Sequence, residues 1–179
     1  MTLILVTGAA RSGKSRRAET LARGFDGPPV YVATCQAFDA EMTARIARHR
    51  ADRGPGWDTH EEPLELCRTL AATDGAGPRL VDCLTLWLTN LILADRDPVA
   101  EGTALLATLA VQTAPVVMVT NEVGWSIVPE NALARRFRDE QGRLNQRIAA
   151  AASRVELVVA GLPLTLKGAP PVIDPGRLA

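Results

Sequence analysis

The chain has 179 residues, of which 47% are hydrophobic, and its 20 basic and 20 acidic side chains leave a formal net charge of zero. That is enough chain for a single globular domain over 1–179, and it excludes a disordered chain, a disulfide-held miniprotein and a protein that grips nucleic acid by blanket positive charge. No apolar run approaches the roughly 18 residues that a membrane helix needs, so membrane insertion is not expected.

Short apolar runs at residues 3–7, 30–34, 80–82, 116–121 and 155–160 read as strands. None alternates polar with apolar, which predicts a mainly parallel sheet covered on both faces. Helical periodicity appears between them, at 14–23, 39–53, 64–73, 85–93, 100–110 and 131–153. This alternation predicts an α/β fold. Gly54-Pro55-Gly56 closes the second helix, and Asp74-Gly75-Ala76-Gly77-Pro78 turns into the third strand. From Gly168 onward Pro170, Pro171 and Pro175 predict an extended tail over 168–179. The odd set Cys35, Cys67 and Cys83 contains no C-x-x-C pair, which fits a reducing compartment and small apolar packing roles. The first residues lack the charged start and long apolar core of a signal peptide, so a cytoplasmic location is expected.

Between the first strand and first helix lies Gly8-Ala9-Ala10-Arg11-Ser12-Gly13-Lys14-Ser15, which satisfies G-x-x-x-x-G-K-[ST]. Its glycines let backbone N–H groups curl inward around phosphate oxygens, and the following helix adds its positive end. Only Lys14 and Lys167 among the 20 basic residues are lysine. Lys14 stands where such a loop needs a compact ammonium against the β- and γ-phosphates, and the Ser15 hydroxyl is placed to ligate Mg²⁺. A second metal-side oxygen is expected at the end of a neighbouring apolar strand, and Asp82, closing Leu80-Val81, fits that position. Capping the helix that follows is its other reading. With the alternating pattern, these features predict a P-loop NTPase of RecA-like, three-layer α/β architecture. The N-K-x-D and D-x-x-G signatures of regulatory GTPases are absent. A small-molecule kinase or a nucleotidyl transferase remains.

The helix at 39–53 is the informative one. Met42, Ile46, His49 and Arg53 share a face, so an apolar stripe passes into imidazole and guanidinium toward the helix end. Arg45, Arg48, Arg50 and Arg53 surround His49, would attract phosphates, and favour the neutral, nucleophilic imidazole. Neutral imidazole can attack an α-phosphorus and carry a nucleotide covalently. Periodicity alone leaves open a second reading, a semi-buried histidine beside a solvated arginine face. A kinase of another small alcohol, with no covalent intermediate, is likewise open.

Thr7 to Ser15, Tyr31-Val32-Ala33-Thr34, Glu41-Met42-x-x-Arg45-Ile46-x-x-His49, Thr120-Asn121-Glu122-Val123-Gly124, Ile127-Val128-Pro129-Glu130-Asn131 and Phe137-Arg138-Asp139, running on through Gly142-Arg143-x-Asn145-Gln146-Arg147, together resemble the bifunctional adenosylcobinamide kinase/adenosylcobinamide-phosphate guanylyltransferase family of cobalamin biosynthesis. The resemblance spans residues 4 to about 167. It implies phosphorylation of adenosylcobinamide by ATP or GTP, then GMP transfer from GTP through a guanylylated histidine, with Mg²⁺ as cofactor and a homotrimer as the assembly. The histidine after Arg-Ile-x-x is His49; relatives often carry two histidines there, and Arg48-His49 leaves one. The implied nucleotide contacts are Gly8, Ala9, Ala10, Arg11, Ser12, Gly13, Lys14 and Ser15, then Thr34, Cys35 and Gln36, then Arg50, Ala51, Asp52 and Arg53, with Glu61 and Asp82.

Physical readings accompany these. Gly54 to Gly56 form a hinge region for the helix bearing His49. Glu61 either accepts from the nucleoside or charges the start of the next helix. Glu122 either orients the substrate hydroxyl or makes a structural bond to a neighbouring loop. Trp57, Trp87 and Trp125 either offer flat apolar surface to the corrin ring or pack within the protein. His60 reads as a loop residue.

Overall fold

The computed structural model describes residues 2–37 and 39–169, without the side chains of Glu41 and Arg45. In chain order the elements are β1 (Leu3–Gly8), α1 (Lys14–Arg23), β2 (Val30–Ala33), α2 (Ala40–Arg53), β3 (Asp58–Glu61), α3 (Leu66–Ala72), β4 (Arg79–Asp82), α4 (Leu84–Leu93), α5 (Pro98–Ala110), β5 (Val116–Val119), α6 (Ala132–Ala151), β6 (Arg154–Val159) and β7 (Leu162–Lys167). The strands make one sheet in the order β3-β2-β4-β5-β1-β6-β7. Every pairing is parallel except β6 with β7.

The central strands read as unbroken apolar runs because both faces are covered. Every residue of β1 and β5 is buried. On one face Leu3, Leu5, Val116 and Met118 meet Leu70 of α3, Trp87 of α4, Leu105 of α5 and Leu144 of α6. On the other Ile4, Val6, Val117 and Val119 meet Ala18, Leu21 and Ala22 of α1. Each fully buried leucine or valine here contributes about 1.5–3 kcal/mol relative to exposure. The result is the expected three-layer α/β sandwich, with α1 on one face of the sheet and α3 to α6 on the other. Helix starts carry their own chemistry: the Asp39, Asp97 and Asn131 side chains accept from Met42, Val99 and Leu133 N–H groups at the openings of α2, α5 and α6.

Two strands lie outside the expected set. β3 is Asp-Thr-His-Glu, a polar edge strand paired only with β2, so it shows no apolar run. β7 continues past the last expected strand through a two-residue turn in which Ala160 and Gly161 have φ of 51° and 81°. Positive φ at both central residues matches a hairpin's twist. Pro163 sits in this edge strand, where a missing N–H is tolerated. Residues 168 and 169 follow β7, and the remainder of the expected tail lies outside the described residues.

Two buried ionic clusters pin the sheet. Glu156 of β6 accepts from Arg17 Nε at 2.7 Å and Nη2 at 2.9 Å, and also from Arg154, which fastens α1 to the sheet. Arg79 of β4 is fully buried and donates to Asp74 Oδ1 at 2.7 Å, Gln112 Oε1 at 3.0 Å and the carbonyls of Thr73 and Ala114. Asp74 in turn accepts from the backbone N–H groups of Thr113 and Ala114.

Candidate active site

Parallel pairing puts the carboxyl ends of β1 to β6 at one edge of the sheet, where α/β proteins hold their ligands. The loop after β1 is shaped by two glycines. A Cβ on Gly8 would lie 2.5 Å from the Val158 carbonyl oxygen and 2.7 Å from Ser12 Oγ. Gly13, at φ 94°, opens α1 in a left-handed conformation, and a Cβ there would lie 3.2 Å from Gly161 Cα. The Gly161 N–H also donates to the Ser12 carbonyl at 2.9 Å, so the β6–β7 turn buttresses the loop. Lys14, only 9% exposed, folds back so that Nζ donates to the Ala9 carbonyl at 3.1 Å. Ser12 Oγ is buried with no partner among the described residues.

A cleft of ≈ 570 Å³ opens over this loop. Of the expected site residues, Ala10, Arg11, Lys14, Ser15, Cys35, His49, Arg50, Arg53, Glu61 and Asp82 line it. Gly8, Ala9, Ser12 and Gly13 shape the loop behind that surface, and Gln36, Ala51 and Asp52 lie off it. Thr34 is fully buried; its hydroxyl donates to the Cys83 carbonyl at 2.8 Å and accepts from the Cys83 N–H at 2.8 Å, tying β2 to β4. Two of the cysteines pack as expected, burial pushing the Cys83 thiol up to about 12 and raising that of Cys67, whereas Cys35 lines the cleft.

The expected face of α2 is the one turned to the cleft, since Met42, Ile46, His49 and Arg53 all line it. No described residue of α2 is fully buried, and His49 is exposed. The helix is held chiefly at its end. Arg53 places its guanidinium carbon 3.5 Å from the Tyr31 ring centroid and 5.8 Å from that of Trp57, and its Nη2 donates to Thr59 Oγ1 at 3.2 Å. Arg23 of α1 donates to the carbonyls of Arg53 and Pro55, just where Gly54 and Gly56 take φ of 72° and 85°. Trp57 meets Tyr31 edge-on at 5.7 Å, which makes it a packing residue. Trp87 is buried and donates to the Leu64 carbonyl. Trp125 alone of the three is largely exposed, at 69%, and lines the cleft.

Asp82 does not cap α4, whose N-cap is Cys83. Its Oδ2 accepts from Tyr31 Oη at 3.0 Å, and burial together with this carboxylate pushes the phenol up. Glu19 of α1 is raised by burial and then by the charge of Asp82. The Ser15 hydroxyl and the Asp82 carboxylate both line the cleft and give a small hard-oxygen donor set. That set suits Mg²⁺, which completes its shell with phosphate and water. Among the described residues no cluster of three His, Cys, Asp or Glu could hold a metal by protein ligands alone.

Glu122 makes a structural bond, though to β1 and α6 and not to a neighbouring loop: Oε1 accepts from Thr7 Oγ1 at 2.7 Å and from Asn145 Nδ2 at 3.3 Å. It also lines the cleft. His60 pairs with Asp58 on β3 at 3.0 Å. Tyr31, Thr59 and Asn121 line the cleft without having been expected to. An aromatic in an apolar run such as β2 reads as core, which leaves Tyr31 unmarked in the sequence.

A phosphate-shaped loop on β1, a carboxylate ending β4 and a covering sandwich define a P-loop nucleotide-binding α/β protein. A family model described as cobinamide kinase / cobinamide phosphate guanyltransferase matches residues 4–166, and the chain belongs to that family. It is 51% identical over 170 residues to the bifunctional adenosylcobalamin biosynthesis protein CobP of Pseudomonas aeruginosa, covering 93% of this chain and 98% of that protein. To the bifunctional adenosylcobalamin biosynthesis protein CobU of Salmonella typhimurium it is 46% identical over 183 residues, covering 92% and 99%. Among solved structures, the flagellar accessory protein FlaH of Methanocaldococcus jannaschii superposes with a TM-score of 0.52 at 15% identity, covering 93% of this chain and 78% of that one, a likeness of fold alone.

Proposed function

We propose that this protein phosphorylates adenosylcobinamide with ATP or GTP and then transfers GMP from GTP to the resulting phosphate through a guanylylated His49, giving adenosylcobinamide-GDP and pyrophosphate. The observation that carries this reading is one cleft lined by both Lys14 and Ser15 of the phosphate loop and by His49 and Arg50 of α2. The family description names the same pair of activities, and the relatives' names call them bifunctional.

In the first half-reaction the loop N–H groups and Lys14 take up charge on the transferred γ-phosphoryl, which is most of what a protein can do for so loose a transition state. Ser15 and Asp82 would hold Mg²⁺, whose charge would neutralise the β- and γ-oxygens. In the second, a neutral His49 nitrogen attacks the α-phosphorus and the bond to the bridging oxygen breaks, releasing pyrophosphate. A phosphate oxygen of the acceptor then attacks the same phosphorus and the P–N bond breaks, returning His49. Arg50 supplies broad donors to the phosphates in flight, while Arg53 steadies the end of α2 against Tyr31. Trp125 offers its exposed face to the corrin ring. The reading also takes the protein to be a cytoplasmic homotrimer, and sedimentation at micromolar concentration measures the latter.

Incubation with α-labelled GTP and Mg²⁺ should leave an acid-labile, base-stable label on the protein. Undiminished label in His49→Ala would sink the histidine assignment, and γ-phosphoryl transfer without any label in the wild type would leave a simple kinase.

A further inference from the structure

Resting on the proposed kinase half-reaction, we infer that Glu122 is the group that receives the proton of the substrate hydroxyl when that oxygen is phosphorylated. Among the described residues three carboxylates line the cleft: Glu61, Asp82 and Glu122. Glu61 ends β3 at the far edge of the sheet, three strands removed from β5 and four from β1. Asp82 already accepts from Tyr31 and stands on the metal side. Glu122 follows β5, the strand lying directly between β1 with its phosphate loop and β4 with Asp82. Its own N–H donates to the Gly8 carbonyl at 3.3 Å, which sets it beside the first residue of the loop.

The carboxylate is held from one side only. Thr7 Oγ1 and Asn145 Nδ2 both donate to Oε1. Asn145 is itself locked, because its Nδ2 also donates to the Asn121 carbonyl at 3.1 Å while its Oδ1 accepts from Thr120 Oγ1 at 2.7 Å and Gln141 Nε2 at 2.8 Å. Oε2 receives no donor, and no cation pairs with this carboxylate, among the described residues. A glutamine carbonyl would accept the same two donors, so the structural task alone does not call for a charge here. A fixed carboxylate that lines the cleft and keeps one oxygen without a donor is what proton acceptance requires. In the step itself the hydroxyl oxygen bonds to the γ-phosphorus and the bond to the β–γ bridging oxygen breaks, its electron pair leaving with the nucleoside diphosphate. The hydroxyl proton passes to Glu122 Oε2.

Guanylyl transfer has no such need, since its acceptor is a phosphate anion. Glu122→Gln therefore separates the two half-reactions. Phosphorylation of adenosylcobinamide should lose about 10²-fold or more in kcat with KM little changed, the usual range for general-base removal. Labelling of the protein by α-labelled GTP, and GMP transfer to supplied adenosylcobinamide phosphate, should stay within about threefold of wild type. Phosphorylation at wild-type rate in the variant overturns the assignment, as does an equal fall in all three activities, which would mark a merely structural residue. Wild-type protein that phosphorylates no cobinamide overturns the functional reading, and this assignment with it.

Discussion

The Arg53 guanidinium lies 3.5 Å over the Tyr31 ring, and the same tyrosine donates to Asp82. One side chain of β2 thus joins the end of the helix bearing His49 to the carboxylate that ends β4. Because α2 commits no fully buried residue of those described, this stack is a large part of its attachment. Cation–π contacts are worth about 0.5–2 kcal/mol. Arg53→Ala should slow guanylylation by about 3- to 30-fold, read as the rate of α-label incorporation. Tyr31→Phe keeps the ring under Arg53 and should slow labelling far less. Equal losses in the two variants would mean that the phenol, and not the stack, positions α2.

Trp125 is the one tryptophan of the three left open to solvent, and it lies on the cleft three residues past Glu122. Trp125→Ala should raise KM for the corrinoid by about 3- to 30-fold, the range for loss of one flat apolar contact, and leave the affinity for GTP unchanged. Initial rates with the corrinoid varied, and GTP calorimetry, check the two halves.

Stability rests on a site remote from the cleft. Asp74 is the counter-charge of the buried Arg79, and Asp74→Ala leaves that guanidinium without one. A loss of about 3–5 kcal/mol is expected, seen as a lower urea midpoint at constant slope.

Acid should find the same weakness. Burial would raise the Asp74 carboxyl, but the N–H groups of Ala114 and Thr113 and the Arg79 guanidinium outweigh it and hold it well below its ordinary value. Burial likewise yields at Glu156 to Arg17 and Arg154, and at Glu62 to the N–H groups of Glu65 and Leu64, so both are lowered. For such groups the unfolded chain binds more protons. Their stabilisation is complete above the unfolded pKa of about 4 and drains away as pH falls through the folded values. Glu19, raised, acts in the opposite sense. The urea midpoint should therefore hold from pH 7 to about 5 and fall steeply below 4. In Asp74→Asn the fall should be shallower.

The parts of this molecule visible in its sequence are those whose signal is local. Val116 to Val119 announce a doubly covered strand, Gly8 to Ser15 announce a phosphate loop, and the spacing of Met42, Ile46, His49 and Arg53 already faces the cleft. What stayed hidden depends on partners far along the chain. β3 is a strand only because β2 offers it a ladder, its four residues being polar. Pro163 masks β7, which exists because Ala160 and Gly161 reverse the chain. Nothing local tells that Tyr31 will carry Arg53, or that Thr7 and Asn145 will converge on one oxygen of Glu122.

The buttress behind the phosphate loop has a consequence for the order of biosynthesis. Gly8 and Gly13 leave the ribosome well ahead of Val158 and Gly161, to which the atoms they rest against belong. The nucleotide cradle is closed by contacts spanning some 150 residues, as in the 2.9 Å bond from Gly161 to Ser12. Domains fold during synthesis from their amino-terminal end. Here the phosphate loop lacks that support until the hairpin of β6 and β7 has been translated and has joined β1.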